Sequence, residues 1–141
     1  MGSACTGVTE PSDSSAATTQ SWLAKANDDL TIAELVLRSD VGVEWAVCFH
    51  AQQAAEKAVK AVLVHAGIDF PKSHRLDRLA GLLPASSEPR FDMAALTELA
   101  PWAVAGRYPE DIPNPTPTQA SHVVELARAV VRLAHELVAL K

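Results

Sequence analysis

Trp22, Ala26, Leu30, Ala33 and Leu37 recur at intervals of three and four, the spacing that lines one face of a helix. The pattern predicts a first helix over residues 20–38, with Thr19 or Ser21 as its cap. A short turn through Ser39, Asp40, Val41 and Gly42 leads to a second helix over 43–66, with Gly67 after it as a left-handed cap. Val47, Ala51, Ala54, Ala55, Ala58, Val59, Ala61 and Val62 spread over roughly half of this helix's circumference, wider than the ~100° stripe of a helix packed on one side. Such a helix belongs at the centre of a bundle or at a dimer seam, and its alanines let neighbours approach closely. Pro71 and Ser73 introduce a short helix over 74–80, which Gly81 stops. A fourth helix over 91–105 turns Phe91, Ala95, Leu96 and Leu99 inward, and Pro101 should kink or break it. After a Pro-rich connector, Thr116, Pro117 and Gln119 make a strong start signal for a last helix, whose buried face is Ala120, Val124, Ala127, Val131, Ala134 and Val138. Residues 1–19 carry almost no large apolar group, so they are expected to form a disordered tail ahead of one domain over 20–141.

The sum is an all-α fold, an up-and-down bundle of about five helices. There is no strand-like alternation, internal repeat or glycine-rich phosphate loop. The wide apolar arc of the second helix has more surface than a small bundle covers on one side, which predicts a homodimer. Composition agrees with helices: the chain is 48% hydrophobic, mostly Ala, Val and Leu, and only 5% aromatic. A net charge of -5 counts against a protein that coats nucleic acid, yet leaves room for a local basic site. Of the two cysteines, Cys5 lies in the polar tail and Cys48 in an apolar helix, so reduced thiols and a cytoplasmic location are expected. No apolar run approaches the roughly 18 residues of a membrane span, and no signal peptide is visible.

The second helix carries one polar stripe. His50, Gln53, Lys57 and Lys60 are spaced by three, four and three residues and share a face, with Glu56 at its edge. Two lysines, an amide and an imidazole in a row suit a phosphate or a base edge, and equally suit the solvated side of an amphipathic helix. His74 suits a general acid or base, a phosphate ligand, or a loop anchor bonded to backbone. Arg107 is the best candidate for an anion contact, because its guanidinium fork fits phosphate; its alternative is an ion pair with Asp29, Glu110 or Asp111. Tyr108 beside it is read first as a packing residue. Histidines 50, 65, 74, 122 and 135 lack metal-type spacing, and no cofactor motif stands out.

The run from Ala46 to Leu63, with its Gln-Ala-Ala-Glu-Lys and Lys-Ala segments, resembles the second-helix signature of the HEPN family (higher eukaryotes and prokaryotes nucleotide-binding). Asp29-Leu30 matches the pair on that family's first helix. Gly67, Pro71, Ser73, His74 and Leu76 match the segment that follows, and Leu99, Trp102, Arg107, Tyr108 and Pro109 match a later one. The resemblance puts forward Asp29, His50, Gln53, Lys57, Lys60, His74, Arg107 and Tyr108 as candidate site residues, with Arg107 and His74 as the catalytic pair if there is one. It implies a nucleotide or RNA ligand, a nucleotidyltransferase-type partner and a toxin–antitoxin context. Many members are metal-independent ribonucleases marked by Arg, four to six residues, then His. Here the next histidine after Arg107 is His122, beyond a Pro-rich loop, and only Arg128 and His135 have the formal spacing. Three readings stay open: a nucleotide- or RNA-phosphate-binding module, a ribonuclease toxin, and a structural helical dimer.

Overall fold

Thr18 caps the first helix. Its hydroxyl accepts from Ser21 N–H at 3.0 Å, and Ser21 Oγ accepts in return from Thr18 N–H at 3.0 Å, a reciprocal box worth about 1 kcal/mol. Helix α1 therefore spans Thr19–Ser39, starting one residue ahead of the expected 20–38. The structure, a computed structural model, describes residues 18–84, 90–105 and 113–140. The expected tail lies outside these residues apart from Thr18 and Thr19. Asp40 in the left-handed region (φ 57°) and Gly42 (φ 80°) make the turn into α2, Glu44–His65. Gly67 (φ 74°) ends α2 as expected: its N–H bonds Val64 C=O at 3.0 Å and Ile68 N–H bonds Leu63 C=O at 2.9 Å, the paired bonds of a Schellman motif.

Helix α3 is Leu76–Ala80, two residues shorter than its expected range at the front. Ser73 Oγ accepts from Arg75 N–H, not from a helical turn at His74, so His74 sits in the loop. Helix α4, Met93–Leu99, begins after Asp92, whose carboxylate accepts from Ala94 N–H. Phe91 precedes the helix yet is buried. Pro101 has no N–H to give the α-helical ladder, and the chain tightens to a 3₁₀ helix over Ala100–Val104. Helix α5, Pro117–Ala139, starts with the expected Thr116–Gln119 box.

Helix α2 is the centre. It packs against α1, α3, α4, the 3₁₀ helix and α5, and α1 also meets α5. All eight residues of its apolar arc are buried within the one chain. The arc is thus spent inside the protomer and supplies no seam for a second copy. No strand occurs among the described residues, and no helix there is long and apolar enough to cross a membrane.

Candidate functional site

Asp29 lies between Ala26 and Ala33 on the buried face of α1, so its carboxylate points at α2 across small side chains. His50 and Lys57, two turns apart on one side of α2, both reach it: His50 Nδ1 at 2.9 Å from Oδ1 and Lys57 Nζ at 2.5 Å from Oδ2. Neither partner is fully covered, with His50 30% and Lys57 26% exposed at the side chain. A carboxylate only accepts, so His50 Nδ1 carries the proton and Nε2 is the ring's open position.

A second carboxylate lies deeper. Glu56 is 4% exposed and receives Lys60 Nζ at 3.1 Å one turn on, His74 Nδ1 at 2.9 Å, and Gln52 Nε2 at 3.3 Å one turn back. Gln52 Nε2 also reaches the His74 carbonyl at 3.4 Å, and Gln53 donates to Gln52 Oε1 at 2.7 Å, which joins this cluster to the polar stripe. The Lys60 ammonium lies 5.2 Å from the Trp22 ring centre and 5.7 Å from that of Phe70, the two rings meeting edge to face. His74, by contrast, is 64% exposed. Its Nδ1 is tied to the interior while the rest of the ring is wet.

The expected stripe therefore divides. His50, Gln53 and Lys57 reach the surface, joined by His74 from the loop. Lys60 is placed beneath that surface, paired with Glu56, and does not lie on a solvated face. Arg107 and Tyr108 fall outside the described residues, so neither their part in the site nor the carboxylate pairing open to Arg107 is described. The sequence reading left Glu56 at the edge and passed over Gln52. A signal was present: Gln52, Glu56 and Lys60 form an i, i+4, i+8 polar row running through a helix otherwise buried on apolar residues. Among the described residues, no three of His, Cys, Asp and Glu gather as metal ligands would.

Arg128 and His135 are engaged elsewhere. Arg128 bridges Glu125 at 2.5 Å and Glu34 of α1 at 2.7 Å, and hydrogen bonds first to Glu125 and then to Glu34 raise its already high pKa. His135 Nε2 lies 3.1 Å from Asn27 Oδ1. The two residues tie α5 to separate points on α1. Cys48 is free and buried; burial, with the nearby Glu44 charge second, pushes its thiol up to about 12. A groove of about 270 Å³ between the start of α4 and α5, floored by Phe91, Ala95, Leu126 and Val130, shares no residue with the polar site.

Chemically, the described residues offer two imidazoles, each tied at Nδ1 to a buried carboxylate, with Lys57 on the first carboxylate and the Gln52–Gln53 pair linked to the second. The sequence matches the HEPN domain family over residues 19–137. The fold is similar to the crystal structure of TT1696 from Thermus thermophilus, at 27% identity and a TM-score of 0.75, over 84% of this chain and 97% of that one. It is also similar to the crystal structure of ST0689, an archaeal HEPN homologue, at 23% identity and a TM-score of 0.69, over 86% and 98% of the respective chains. No curated protein matches the sequence.

Proposed function

The chain belongs to the HEPN domain family, and on that premise we propose that it is a nucleotide- or RNA-phosphate-binding module that acts with a nucleotidyltransferase-type partner in a toxin–antitoxin-like context. One observation carries the binding half: Asp29 and Glu56, both nearly buried, each orient an imidazole whose Nε2 has no partner among the described residues. Holding groups in place from behind is how a site pre-organises donors for an anion. His50, Gln53, Lys57 and His74 form the contact face in this reading. Lys60 acts through Glu56, Asp29 acts through His50 and Lys57, and Arg107 supplies the guanidinium for the phosphate with Tyr108 beside it. The partner rests on family membership, and co-purification with a nucleotidyltransferase encoded beside the gene tests it. A homodimer stays part of the reading. Since the α2 arc is spent, a second copy would seat on exposed apolar residues such as Ile32, Leu35 and Trp45.

Titrating labelled nucleotides and short RNAs into wild type, Lys57→Ala and Arg107→Ala tests the binding face. Weak, salt-sensitive binding that falls in both variants is expected. Equal binding by all three proteins, or none by wild type at low salt, removes the site.

A second reading has its own support. His74 bonded to Glu56 with its outer edge wet is also the arrangement of a general base, and in a metal-independent ribonuclease it would act with Arg107. Incubating the purified protein with total RNA without added metal separates the two: discrete cleavage that disappears in His74→Asn favours the nuclease.

A further inference from the structure

Gln52 is wholly buried, and both ends of its amide are engaged. Its Nε2 lies 3.3 Å from Glu56 Oε1 and 3.4 Å from the His74 carbonyl; both are acceptors, so the NH₂ end must face them. Its Oε1 accepts from Gln53 at 2.7 Å, which agrees with that orientation. One turn on, Glu56 takes the His74 ring at Nδ1, at 2.9 Å. His74 is thus gripped twice from α2, once at its carbonyl and once at its ring. The loop depends on that grip. Phe70 and Leu76 anchor its two ends in the core, but among the described residues 71–74 make no backbone–backbone hydrogen bond. His74 is 64% exposed, so packing does not hold its ring either. An imidazole held by one bond can turn about Cβ–Cγ and exchange the nitrogen that faces inward. With the carbonyl fixed as well, the side chain stays aimed at Glu56.

We propose that Gln52 is the positioning residue of His74: one buried amide holds both the His74 carbonyl and a Glu56 oxygen, and so keeps Nδ1 on Glu56 and Nε2 turned outward. The inference rests on the reading in which His74 acts through Nε2, as a phosphate contact or as a general base. Gln52 touches no ligand in this role and acts only through His74. A primary amide suits the position because its two N–H groups diverge from one nitrogen and serve two acceptors at once. An apolar side chain of the same size would fill the space and hold neither. A carboxylate would bring a further acceptor against Glu56 and the carbonyl. The His50 ring, tied to Asp29 of α1, lies outside this grip and serves as an internal control.

The test uses the full chain as wild type, Gln52→Met, which keeps the volume without the amide, and Gln52→Asn, which keeps the amide one carbon short. Imidazole nitrogen NMR at pH 8.5, above the range in which imidazoles ordinarily carry charge, reads the tautomer of each ring. Wild type is expected to show His74 protonated at Nδ1 alone. In both variants His74 should become a mixture of the two tautomers, while His50 keeps its proton on Nδ1. Binding of a short labelled RNA at low salt should weaken about fivefold, the worth of one hydrogen bond. An unchanged His74 tautomer in either folded variant overturns the inference. So does an equal change at His50, which marks general loosening and not a grip on His74. If neither variant folds, the wild-type Gln52 amide protons decide. Slow exchange with a nuclear Overhauser contact to His74 supports the inference, and exchange as fast as that of free glutamine overturns it. A changed tautomer with RNA binding intact upholds the grip and removes His74 from the contact face. No binding by wild type removes that face, and the tautomers still decide the role of Gln52.

Discussion

Glu56→Gln should cost this fold several kcal/mol although it changes one atom. The carboxylate is 4% exposed and faces Lys60, itself 5% exposed, at 3.1 Å. Removing its charge takes away the carboxylate 3.1 Å from a buried ammonium, and breaking such a buried pair typically costs about 3–5 kcal/mol. Against a whole stability of about 5–15 kcal/mol, that is a large fraction. Lys60→Met should cost less, about 2–3 kcal/mol, because His74 and Gln52 still hold the Glu56 oxygens and the thioether fits between the Trp22 and Phe70 rings. In the double variant the new amide can still bond Gln52 and His74 while the thioether fills the apolar gap, so the pair of changes should cost about 2 kcal/mol or less. The cycle then gives a coupling of several kcal/mol. Urea unfolding of the four proteins at neutral pH, followed by circular dichroism, measures it. Single costs under about 1 kcal/mol, or a double cost equal to their sum, would show that Glu56 and Lys60 are solvated and that the site has no buried base.

Cys48 should resist alkylation until the protein unfolds: with its pKa near 12 against an ordinary 9.0, it holds about a thousandfold less thiolate at pH 8 than a free thiol. Between pH 9 and 12 the unfolded chain has given up this proton and the folded chain has kept it, so stability should fall as pH rises through that window, by at most about 1.4 kcal/mol per unit from this group. Deleting residues 1–17 should leave the melting temperature nearly unchanged, whereas Thr18→Ala removes the cap of α1 and should lower it by a few degrees, for about 1 kcal/mol. Arg128→Ala should cost under about 1 kcal/mol, since its pairs with Glu34 and Glu125 are partly exposed, and should leave nucleotide titrations as they were. A loss of RNA binding or cleavage in that variant would instead place the site on α5. Light scattering should read twice 15.0 kDa if two copies associate, and a clean 15.0 kDa species removes the homodimer.

The helices, the end of α2 and the start of α5 were legible because each rests on local chemistry, whereas α1 is capped by Thr18 and not by the expected Thr19 or Ser21. The Thr116–Gln119 box, Gly67 at positive φ and the break at Pro101 depend on residues within a turn of one another. The central place of α2 was legible from the width of its apolar arc. Its partners were not, because the same arc fits a bundle centre or a dimer seam, and only the packing of α1, α3, α4 and α5 around it decides. For the site, the stripe of His50, Gln53 and Lys57 could be read from spacing, but its depth could not. Lys60 lies one turn beyond Glu56, and whether such a pair faces water or the core depends on Trp22 and Phe70, 38 residues before and 10 residues after it in the chain. The position of His74 was missed for a smaller reason: Ser73 closes a turn on Arg75 instead of capping a helix, which leaves the imidazole free to reach Glu56.

Imidazole nitrogen resonances, followed by NMR while a nucleoside monophosphate is titrated into the protein at low salt, test the binding face most directly. The chain carries five histidines, and His65, His122 and His135 serve as internal controls away from the proposed contacts. The expected result is a saturable shift of Nε2 of His50 and His74, the two rings whose Nδ1 is tied to Asp29 and Glu56, with the other three unmoved. Shifts confined to His122 or His135, or no shift at any ring up to millimolar ligand, would contradict a phosphate site on this face.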